Sequence, residues 1–217
     1  MTYEFKAWPK TPRLGNEEMT ITEKIDGTNA CVCIFPVPVD EQQGMLDNGV
    51  PEGFELAKLG DDVYLFGAQS RTRMITPGKN TDNAGFAAWA YENYEWLIRT
   101  LGLGRHYGEW WGSGIQGGYG LAKGERRFSL FDVWRWEQGL DPTCAPEELW
   151  VVPTLYRGPS SDFAIEKALY DLRNGGSVAS PGYMNPEGII VSYKLTRQSY
   201  KAFVNDDGIP KSLKEGN

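Results

Sequence analysis

The sequence predicts a single α+β domain, made mainly of antiparallel β-sheet with helices on the outside. Short runs of β-branched and aromatic residues alternate with turn signals, which is typical of strands. Two longer segments show the apolar period of an amphipathic helix. No internal repeat, low-complexity tract or long linker divides the 217 residues, so we expect one domain over 1–217.

The first half of the chain contains two predicted strands and one helix. NACVCIF (29–35) and VYLFGAQSR (63–71) predict strands that belong to an antiparallel meander. The segment 36–53 between them contains proline, glycine and an Asn-Gly pair, and predicts a long loop. The most periodic helix lies in 83–104, with Asp82 or Asn83 as its cap and Gly102 as its end.

The second half of the chain repeats this mixture. Its predicted strands are RHYGEWW (105–111), RRFSLFDVWRW (126–136), LWVVPTLYR (149–157), PEGIIVSYK (186–194) and QSYKAFV (198–204). A second helix is predicted over 160–176, with a serine cap and a glycine exit.

Composition and charge exclude several classes of protein. No apolar run reaches the roughly 18 to 20 residues that a membrane span needs, and we expect a cytoplasmic protein without a membrane partner. Three cysteines are an odd number in a domain of this size, which favours reduced thiols over a disulfide framework. The net charge of -7 argues against non-specific adhesion to nucleic acid, although it permits a local basic groove.

A glycine-rich stretch at 112–117, GSGIQG, matches the dinucleotide fingerprint GxGxxG. That fingerprint requires a helix directly afterwards, whose N-terminus holds the pyrophosphate. Here the next residues are GYGLAKGERR, which contain too much glycine for a helix. Nucleotide binding by that route is disfavoured.

The stretch EKIDGTN (23–29) places a lysine just before an Asp-Gly turn. The simplest interpretation is a solvated lysine at the end of a strand. The alternative is a nucleophile that the turn presents from a rigid strand. A lysine attacks only as the neutral amine, and its ordinary pKa of about 10.4 leaves little neutral amine near pH 7. Burial and neighbouring cations therefore have to favour the neutral form of a catalytic lysine.

Five motifs in order decide between these interpretations. They are EKIDGTN (23–29), YGEWWGSGIQ (107–116), FSLFDVW (128–134), PEGIIV (186–191) and YKAF (200–203). In this order the chain resembles the covalent nucleotidyltransferase superfamily of ATP-dependent DNA ligases, RNA ligases and messenger-RNA capping enzymes. EKIDGTN and the GSGIQ after Glu109 are most similar to the RNA ligases that seal nicks in duplex RNA. The resemblance implies the adenylyltransferase domain of such ligases.

The resemblance implies a reaction and a set of catalytic residues. Lys24 forms a lysyl-AMP intermediate with ATP, the AMP passes to a 5′-phosphate end, and a 3′-hydroxyl displaces it. Glu187 helps to place Mg²⁺ or Mn²⁺, and Lys201 meets the α-phosphate. Arg71 contacts phosphates of the nucleotide or of the substrate.

The resemblance also implies binding residues. Glu109 holds the ribose hydroxyls and Phe131 stacks on adenine, while Glu23 accepts a hydrogen bond from the adenine amino group. Ile25 belongs to the same nucleotide site. The nucleic-acid contacts are Asn29 and Thr28.

The chain departs from the family pattern at its end. The family's last motif usually contains two lysines one residue apart, whereas here Lys201 is followed by Ala202 and Phe203. We expect Lys201 to contact phosphate first, with Lys194 as the replacement for the second lysine. Few residues follow, so we expect a monomeric minimal core without an oligonucleotide-binding barrel or a helical domain.

Several functions stay open at this point. The leading one is an ATP-dependent RNA ligase that acts on RNA or DNA ends with 5′-phosphate and 3′-hydroxyl groups. A DNA ligase or a 5′-end adenylyltransferase of the same superfamily is an alternative. A catalytically inactive module that binds a nucleotide or a nucleic-acid end is the alternative from another class.

Overall fold

The structure is a computed structural model that describes residues 5–11, 17–137, 139–140 and 145–205. In chain order its strands are β1 (Glu18–Lys24), β2 (Thr28–Pro36), β3 (Phe54–Leu59), β4 (Asp62–Ser70), β5 (Met74–Ile75), β6 (Gly104–Gly112), β7 (Arg126–Leu130), β8 (Leu149–Val151), β9 (Thr154–Pro159), β10 (Gly188–Tyr193) and β11 (Ser199–Phe203). Its helices are α1 (Val39–Asn48), α2 (Phe86–Glu92), α3 (Tyr94–Leu101), α4 (Val133–Trp136) and α5 (Asp162–Gly175). The predicted α+β class is confirmed.

The strands form two sheets. The smaller sheet has the order β11, β10, β1, β9 and is antiparallel. The larger sheet has the order β3, β4, β2, β6, β7, β8, with β5 paired to β4, and its β7 and β8 are parallel. Consecutive strands β1 and β2 lie in different sheets. The chain therefore passes from one sheet to the other through the turn at Asp26 and Gly27.

Each sheet packs one face against helices. In the larger sheet, alternate residues of β2 pack with α2 and α3 around a group of aromatic rings that includes Phe86, Trp110 and Phe128. In the smaller sheet, Met19 and Ile21 of β1 pack against α5. Because successive side chains of a strand point to opposite faces, the other faces of both sheets are free to line a cleft.

Two predictions about the first half of the chain were wrong. The segment 36–53 is not wholly a loop, because it contains α1, a helix without a buried residue. The helix predicted in 83–104 is two helices that meet at Asn93. The N-cap residue of α2 is Gly85 rather than the predicted Asp82 or Asn83. The carboxylate of Asp82 nevertheless accepts hydrogen bonds from the N–H groups of Ala87 at 2.8 Å and Ala88 at 3.0 Å in the first turn. The predicted end at Gly102 is confirmed.

Three further predictions concern strand continuity. The predicted antiparallel meander has a different strand order, because β2 pairs with β4, and β3 pairs with the other side of β4. LWVVPTLYR (149–157) forms two strands in different sheets, since Pro153 interrupts it. The strand in RRFSLFDVWRW (126–136) ends at Leu130, and α4 follows.

The last predicted elements are confirmed. The side chain of Ser161 caps α5, and Gly176 ends that helix. β10 and β11 form an antiparallel pair in which Gly188 faces Phe203. In the ranges that the structure describes, no helix has the length and apolar character needed to cross a membrane.

Candidate active site

A cavity of about 640 Å³ lies between the cleft faces of the two sheets. The smaller sheet contributes Thr20, Thr22 and Lys24 from β1, with Ile190 and Ser192 from β10. The opposite wall is formed by β6 and the segment after β7, and includes Tyr107, Glu109, Phe131 and Trp134. The hydroxyl of Thr20 is buried there and has no hydrogen-bond partner among the described residues. A buried polar group without a partner is unusual in a finished core and is typical of a wall that contacts a ligand.

Lys24 is the last residue of β1, and its side chain enters this cavity. Its amine donates a hydrogen bond to Oε2 of Glu187. The two side chains are 23% and 22% exposed, so the pair is accessible from the cavity without lying on the outer surface. β-Sheet pairing explains the contact, because Lys24 faces Gly188 at the end of the β1–β10 ladder and Glu187 directly precedes Gly188.

The turn after Lys24 is shaped by the close approach of Gly27 to β6. A Cβ atom on Gly27 would lie 2.5 Å from the carbonyl oxygen of Trp110 and 2.8 Å from the Cβ of Trp111. A separation below 3.0 Å is not tolerated, so this position requires glycine for space rather than for a left-handed backbone. The contact brings the turn against the strand that contains Glu109.

Glu109 is the second carboxylate beside Lys24. Burial raises the pKa of Glu109 to about 7, although the charge of Lys24 and a hydrogen bond from the Gly27 N–H oppose this. The nearby carboxylates of Glu187 and Asp26 add to the increase. A carboxyl group that titrates near neutrality inside a cavity is a common feature of functional sites.

Phe131 lies directly after β7 rather than inside a strand. Its N–H donates to the carbonyl oxygen of Tyr107 at 2.9 Å, which fixes the bend, and Asp132 then caps α4. The ring is 40% exposed and lines the cavity. Across the cavity, Ile190 lines the wall of the smaller sheet. The two residues can enclose a flat aromatic group.

Glu23 lines the same cavity as Lys24, although strand alternation turns its side chain to the other face of β1. It accepts hydrogen bonds from the Ser177 hydroxyl at 2.6 Å, the Val178 N–H at 2.8 Å and the Ala179 N–H at 2.9 Å. Burial raises the pKa of Glu23, and these three bonds oppose the increase. The carboxylate therefore anchors the segment after α5. This role differs from the predicted hydrogen bond with the adenine amino group.

Lys201 is the predicted lysine that comes nearest to Lys24. Its amine lies 5.3 Å from the centre of the Phe203 ring, and the amine of Lys24 lies 5.7 Å from the same centre. In the sheet register, Lys201 faces Ile190 and Ile190 faces Thr22, both of which line the cavity. Lys201 thus belongs to the cavity face of the smaller sheet.

Lys194 lies farther along the same sheet. It follows β10 and pairs with Glu18 at 2.7 Å, and its amine is 5.4 Å from the ring centre of Trp134. Glu18 and Lys24 are the opposite ends of β1. Lys194 is therefore placed at the far end of the cleft from Lys24.

The other predicted residues are distributed around the turn. Ile25 is buried and lines the cavity. Asn29 faces Glu109 across the β2–β6 pair, and the hydroxyl of Thr28 accepts a hydrogen bond from Asn83 at 2.8 Å. Arg71 is exposed in the turn after β4 and does not line the cavity, so the structure does not bring it to Lys24.

Two carboxylates beside Lys24 are a suitable donor set for Mg²⁺ or Mn²⁺. Within the described ranges, no group of three or more His, Cys, Asp or Glu side chains could hold a metal ion. Mg²⁺ usually binds one or two carboxylates, and water and substrate phosphates complete its coordination. Glu187, with Glu109 nearby, fits that pattern.

Sequence reasoning missed Tyr119 in the glycine-rich loop after β6. Its hydroxyl bonds to the main chains of both Lys24 and Glu187. The flanking glycines were interpreted only as a failed dinucleotide fingerprint. An aromatic residue between glycines was the one available signal.

A lysine beside two carboxylates, in a cleft between two mainly antiparallel sheets, is the arrangement expected of a lysine-dependent nucleotidyltransferase. The chain belongs to the RNA ligase family, because the model of that family matches residues 17–203. No curated protein matches the chain.

Solved structures give the same fold. A mutant of the Naegleria gruberi RNA ligase with AMP and manganese is 19% identical, with a TM-score of 0.50 over 88% of this chain and 50% of that chain. Another mutant of that ligase, with ATP and manganese, is 20% identical, with a TM-score of 0.50 over 88% of this chain and 51% of that one. At this identity the likeness establishes the fold. The chain spans about half the length of these structures.

Proposed function

We propose that this protein is an ATP-dependent polynucleotide ligase that joins RNA ends through a lysyl-AMP intermediate on Lys24. The observation that carries the proposal is the position of the Lys24 amine. It lies inside a cavity of about 640 Å³, contacts Glu187 and lies beside the buried carboxyl group of Glu109. A solvated lysine at the end of a strand would have none of these neighbours.

The first step forms a bond between the Lys24 nitrogen and the α-phosphorus of ATP. The bond from that phosphorus to the bridging oxygen breaks, and pyrophosphate leaves. The ammonium group has to lose a proton before it attacks, and Oε2 of Glu187 is the acceptor in contact with it. The arrangement thus supplies both the nucleophile and a site for its proton.

The later steps transfer the AMP and join the ends. An oxygen of a 5′-phosphate attacks the phosphorus of the lysyl-AMP, the nitrogen–phosphorus bond breaks and Lys24 is restored. A 3′-hydroxyl then attacks the 5′-phosphorus, and AMP leaves as the phosphodiester bond forms. In both transfers, negative charge builds on the phosphate oxygens in the transition state, and nearby cations stabilise that charge.

The walls of the cavity suggest where the nucleotide lies. Phe131 and Ile190 would enclose adenine, because they lie on opposite walls. Glu109 would hold the ribose hydroxyls, and Lys201 would contact the α-phosphate. The hydroxyl of Thr20, which has no hydrogen-bond partner in the described part of the chain, lies four residues from Lys24, about 13 Å along the strand, and would contact the outer edge of the base.

A divalent cation, Mg²⁺ or Mn²⁺, would neutralise charge on the phosphate oxygens when bound. Glu187 and Glu109 are the residues that would hold it, with water and phosphate oxygens. Glu187 would then contact both the cation and the Lys24 amine.

The substrate part of the proposal names RNA ends with a 5′-phosphate and a 3′-hydroxyl. Family membership favours RNA over DNA ends. Asn29 and Arg71 lie at the same end of the larger sheet, because Ala30 pairs with Ser70. They would contact the polynucleotide rather than the nucleotide. A monomeric state and a cytoplasmic location are further expectations from the sequence.

The test is covalent labelling followed by intact mass measurement. We expect the wild-type protein to gain one AMP on incubation with ATP and Mg²⁺, and Lys24→Ala to gain none. Lys58→Ala removes an exposed lysine of β3 and is the matched control that keeps labelling. Wild-type protein that stays unmodified with Mg²⁺ and with Mn²⁺, after removal of any preloaded AMP, would contradict the proposal and favour a binding module.

A second measurement separates the possible substrates. Lysyl-AMP protein is supplied with nicked duplex RNA, nicked duplex DNA and single strands, and joined and adenylylated products are separated on gels. Joined RNA supports the proposal. Joined DNA without joined RNA supports a DNA ligase, and adenylylated ends without joining support a 5′-end adenylyltransferase.

A further inference from the structure

The hydroxyl of Tyr119 lies where β1 and β10 separate. It donates a hydrogen bond to the carbonyl oxygen of Lys24 at 3.3 Å and accepts one from the N–H of Glu187 at 3.1 Å. These two backbone groups belong to the residues whose side chains form the central ion pair of the cavity. Lys24 and Gly188 are the last residue pair of the β1–β10 ladder. Beyond this pair, the Tyr119 hydroxyl links the main chains of the two strands in place of a direct backbone hydrogen bond.

The ring of Tyr119 is held from several sides. It stacks on Tyr183 with 4.6 Å between ring centres and meets Trp111 edge to face at 5.5 Å. The Ser180 hydroxyl donates to the Tyr119 carbonyl oxygen at 2.7 Å. The residue is 1% exposed. These contacts leave the hydroxyl little freedom to move relative to the two strands.

The backbone of Tyr119 is in the left-handed region, with a φ of 49°. Residues with a Cβ adopt this region at an energetic cost, and such strain persists where the surroundings impose it, often at functional sites. Glycines on both sides allow the loop to make the turn that presents the ring. The glycine-rich loop, which does not form a dinucleotide-binding fingerprint, thus positions the Tyr119 ring.

The protonation state of Tyr119 suits a fixed bridge. Burial raises the pKa of the Tyr119 hydroxyl well above its ordinary value, and nearby Glu23 and Glu187 add to the increase. The group therefore stays protonated through the neutral range, and can donate to one backbone group while it accepts from the other.

We propose that Tyr119 is a positioning residue, whose hydroxyl holds the main chains of Lys24 and Glu187 at the separation that aligns amine and carboxylate. This inference rests on the proposed lysyl-AMP chemistry. Tyr119 acts through those two residues, since it does not itself line the cavity. Small displacements of reacting groups reduce rates strongly, by up to about 100-fold for 1 Å.

The experiment compares Tyr119→Phe with Tyr183→Phe in single-turnover formation of lysyl-AMP. Both changes remove one hydroxyl from the same aromatic stack, but only the first removes the bridge. We expect Tyr119→Phe to lower the maximal rate by roughly 10- to 100-fold, with little change in the ATP concentration for half-maximal rate. Tyr183→Phe should keep the wild-type rate.

Three outcomes are distinguishable. If the wild-type protein forms no lysyl-AMP, the proposed function fails. If it does, and Tyr119→Phe reacts at the wild-type rate, only the positioning role is overturned. Equal losses in both variants would assign the effect to packing and would also overturn the role.

Hydrogen exchange gives a test that does not depend on the variant's folding. In the wild-type protein we expect the amide of Glu187 to be protected from exchange like the amides of β10, because it donates to a buried hydroxyl. Exchange of that amide at the rate of an exposed loop would contradict the bridge.

Discussion

The amine of Lys24 contacts the carboxylate of Glu187, although 163 positions separate the two residues in the chain. The antiparallel pairing of β1 and β10 brings them together, and the turn at Gly27, which lies against β6, brings Glu109 near the amine. The two carboxylates differ in environment, because Glu187 is paired with Lys24 whereas burial dominates at Glu109. The pH dependence of stability can therefore test Glu109 in particular.

Glu109→Gln should change how stability depends on pH. The pKa of Glu109 is about 7 in the folded protein, against an ordinary value of 4.5, so ionisation favours the unfolded chain. The stability that the protonated group contributes is present below about pH 4.5 and is lost as the pH rises through about 7. Relative to Glu109→Gln, the wild type should lose up to about 3 kcal/mol of unfolding free energy between pH 5 and 8.

Urea unfolding of both proteins across that range measures the difference. Glu55→Gln, an exposed carboxylate of β3, is the control and should give a curve parallel to the wild type. Parallel curves for Glu109→Gln and the wild type would show that Glu109 does not titrate as its burial requires.

Gly27→Ala should be strongly destabilising. The new Cβ would lie 2.5 Å from the carbonyl oxygen of Trp110, and backbone cannot move aside as a flexible side chain can. We expect a loss of about 3 kcal/mol or more, with little lysyl-AMP formed even at low temperature, because the turn has to leave β6.

Gly44→Ala is the matched control: it lies inside α1 with no atom within 4 Å of the new Cβ. It should stabilise the protein by about 0.5 to 1 kcal/mol. Thermal melting of both variants checks the pair, and equal melting temperatures would refute the close approach.

The motifs of the sequence place three of the proposed site residues beside one another more reliably than they give the surroundings. Lys24, Glu109 and Phe131 line one cavity, because each belongs to a motif tied to a strand or to its end. Strand alternation predicts that the side chains of Glu23 and Lys24 point to opposite faces, but it does not give the partner of the Glu23 carboxylate, which lies 154 positions away at Ser177. The bridge by Tyr119 was not foreseeable either, because it depends on how a glycine-rich loop packs between two sheets. The break at Asn93 likewise has no local signal, since apolar periodicity continues through it.

Glu23→Ala should destabilise the protein through the segment 177–179. The change leaves the partly buried N–H groups of Val178 and Ala179 and the buried hydroxyl of Ser177 without their acceptor. Each unsatisfied buried donor costs about 1 to 3 kcal/mol, so we expect a loss of about 3 kcal/mol or more. Ser177→Ala removes one of the three bonds, together with the bond that the Ser177 hydroxyl accepts from the Ser180 N–H, and should cost about 1 to 2 kcal/mol. Urea unfolding measures both, and a Glu23→Ala protein as stable as Ser177→Ala would contradict the anchoring role.

Lys201→Ala and Lys194→Ala should separate the two candidates for the phosphate contact. The amine of Lys201 shares the Phe203 ring with Lys24, whereas the amine of Lys194 pairs with Glu18 at the other end of β1. A cation near the α-phosphorus stabilises the charge that builds on its oxygens, so its loss should lower the rate of lysyl-AMP formation by roughly 10- to 1000-fold. The exposed pair of Lys194 with Glu18 is worth at most about 1 kcal/mol, and its loss should leave that rate within about fivefold of the wild type. Rapid-quench measurements with labelled ATP at saturating concentration compare the variants. A larger loss in Lys194→Ala than in Lys201→Ala would reverse the assignment and place the triphosphate toward Trp134.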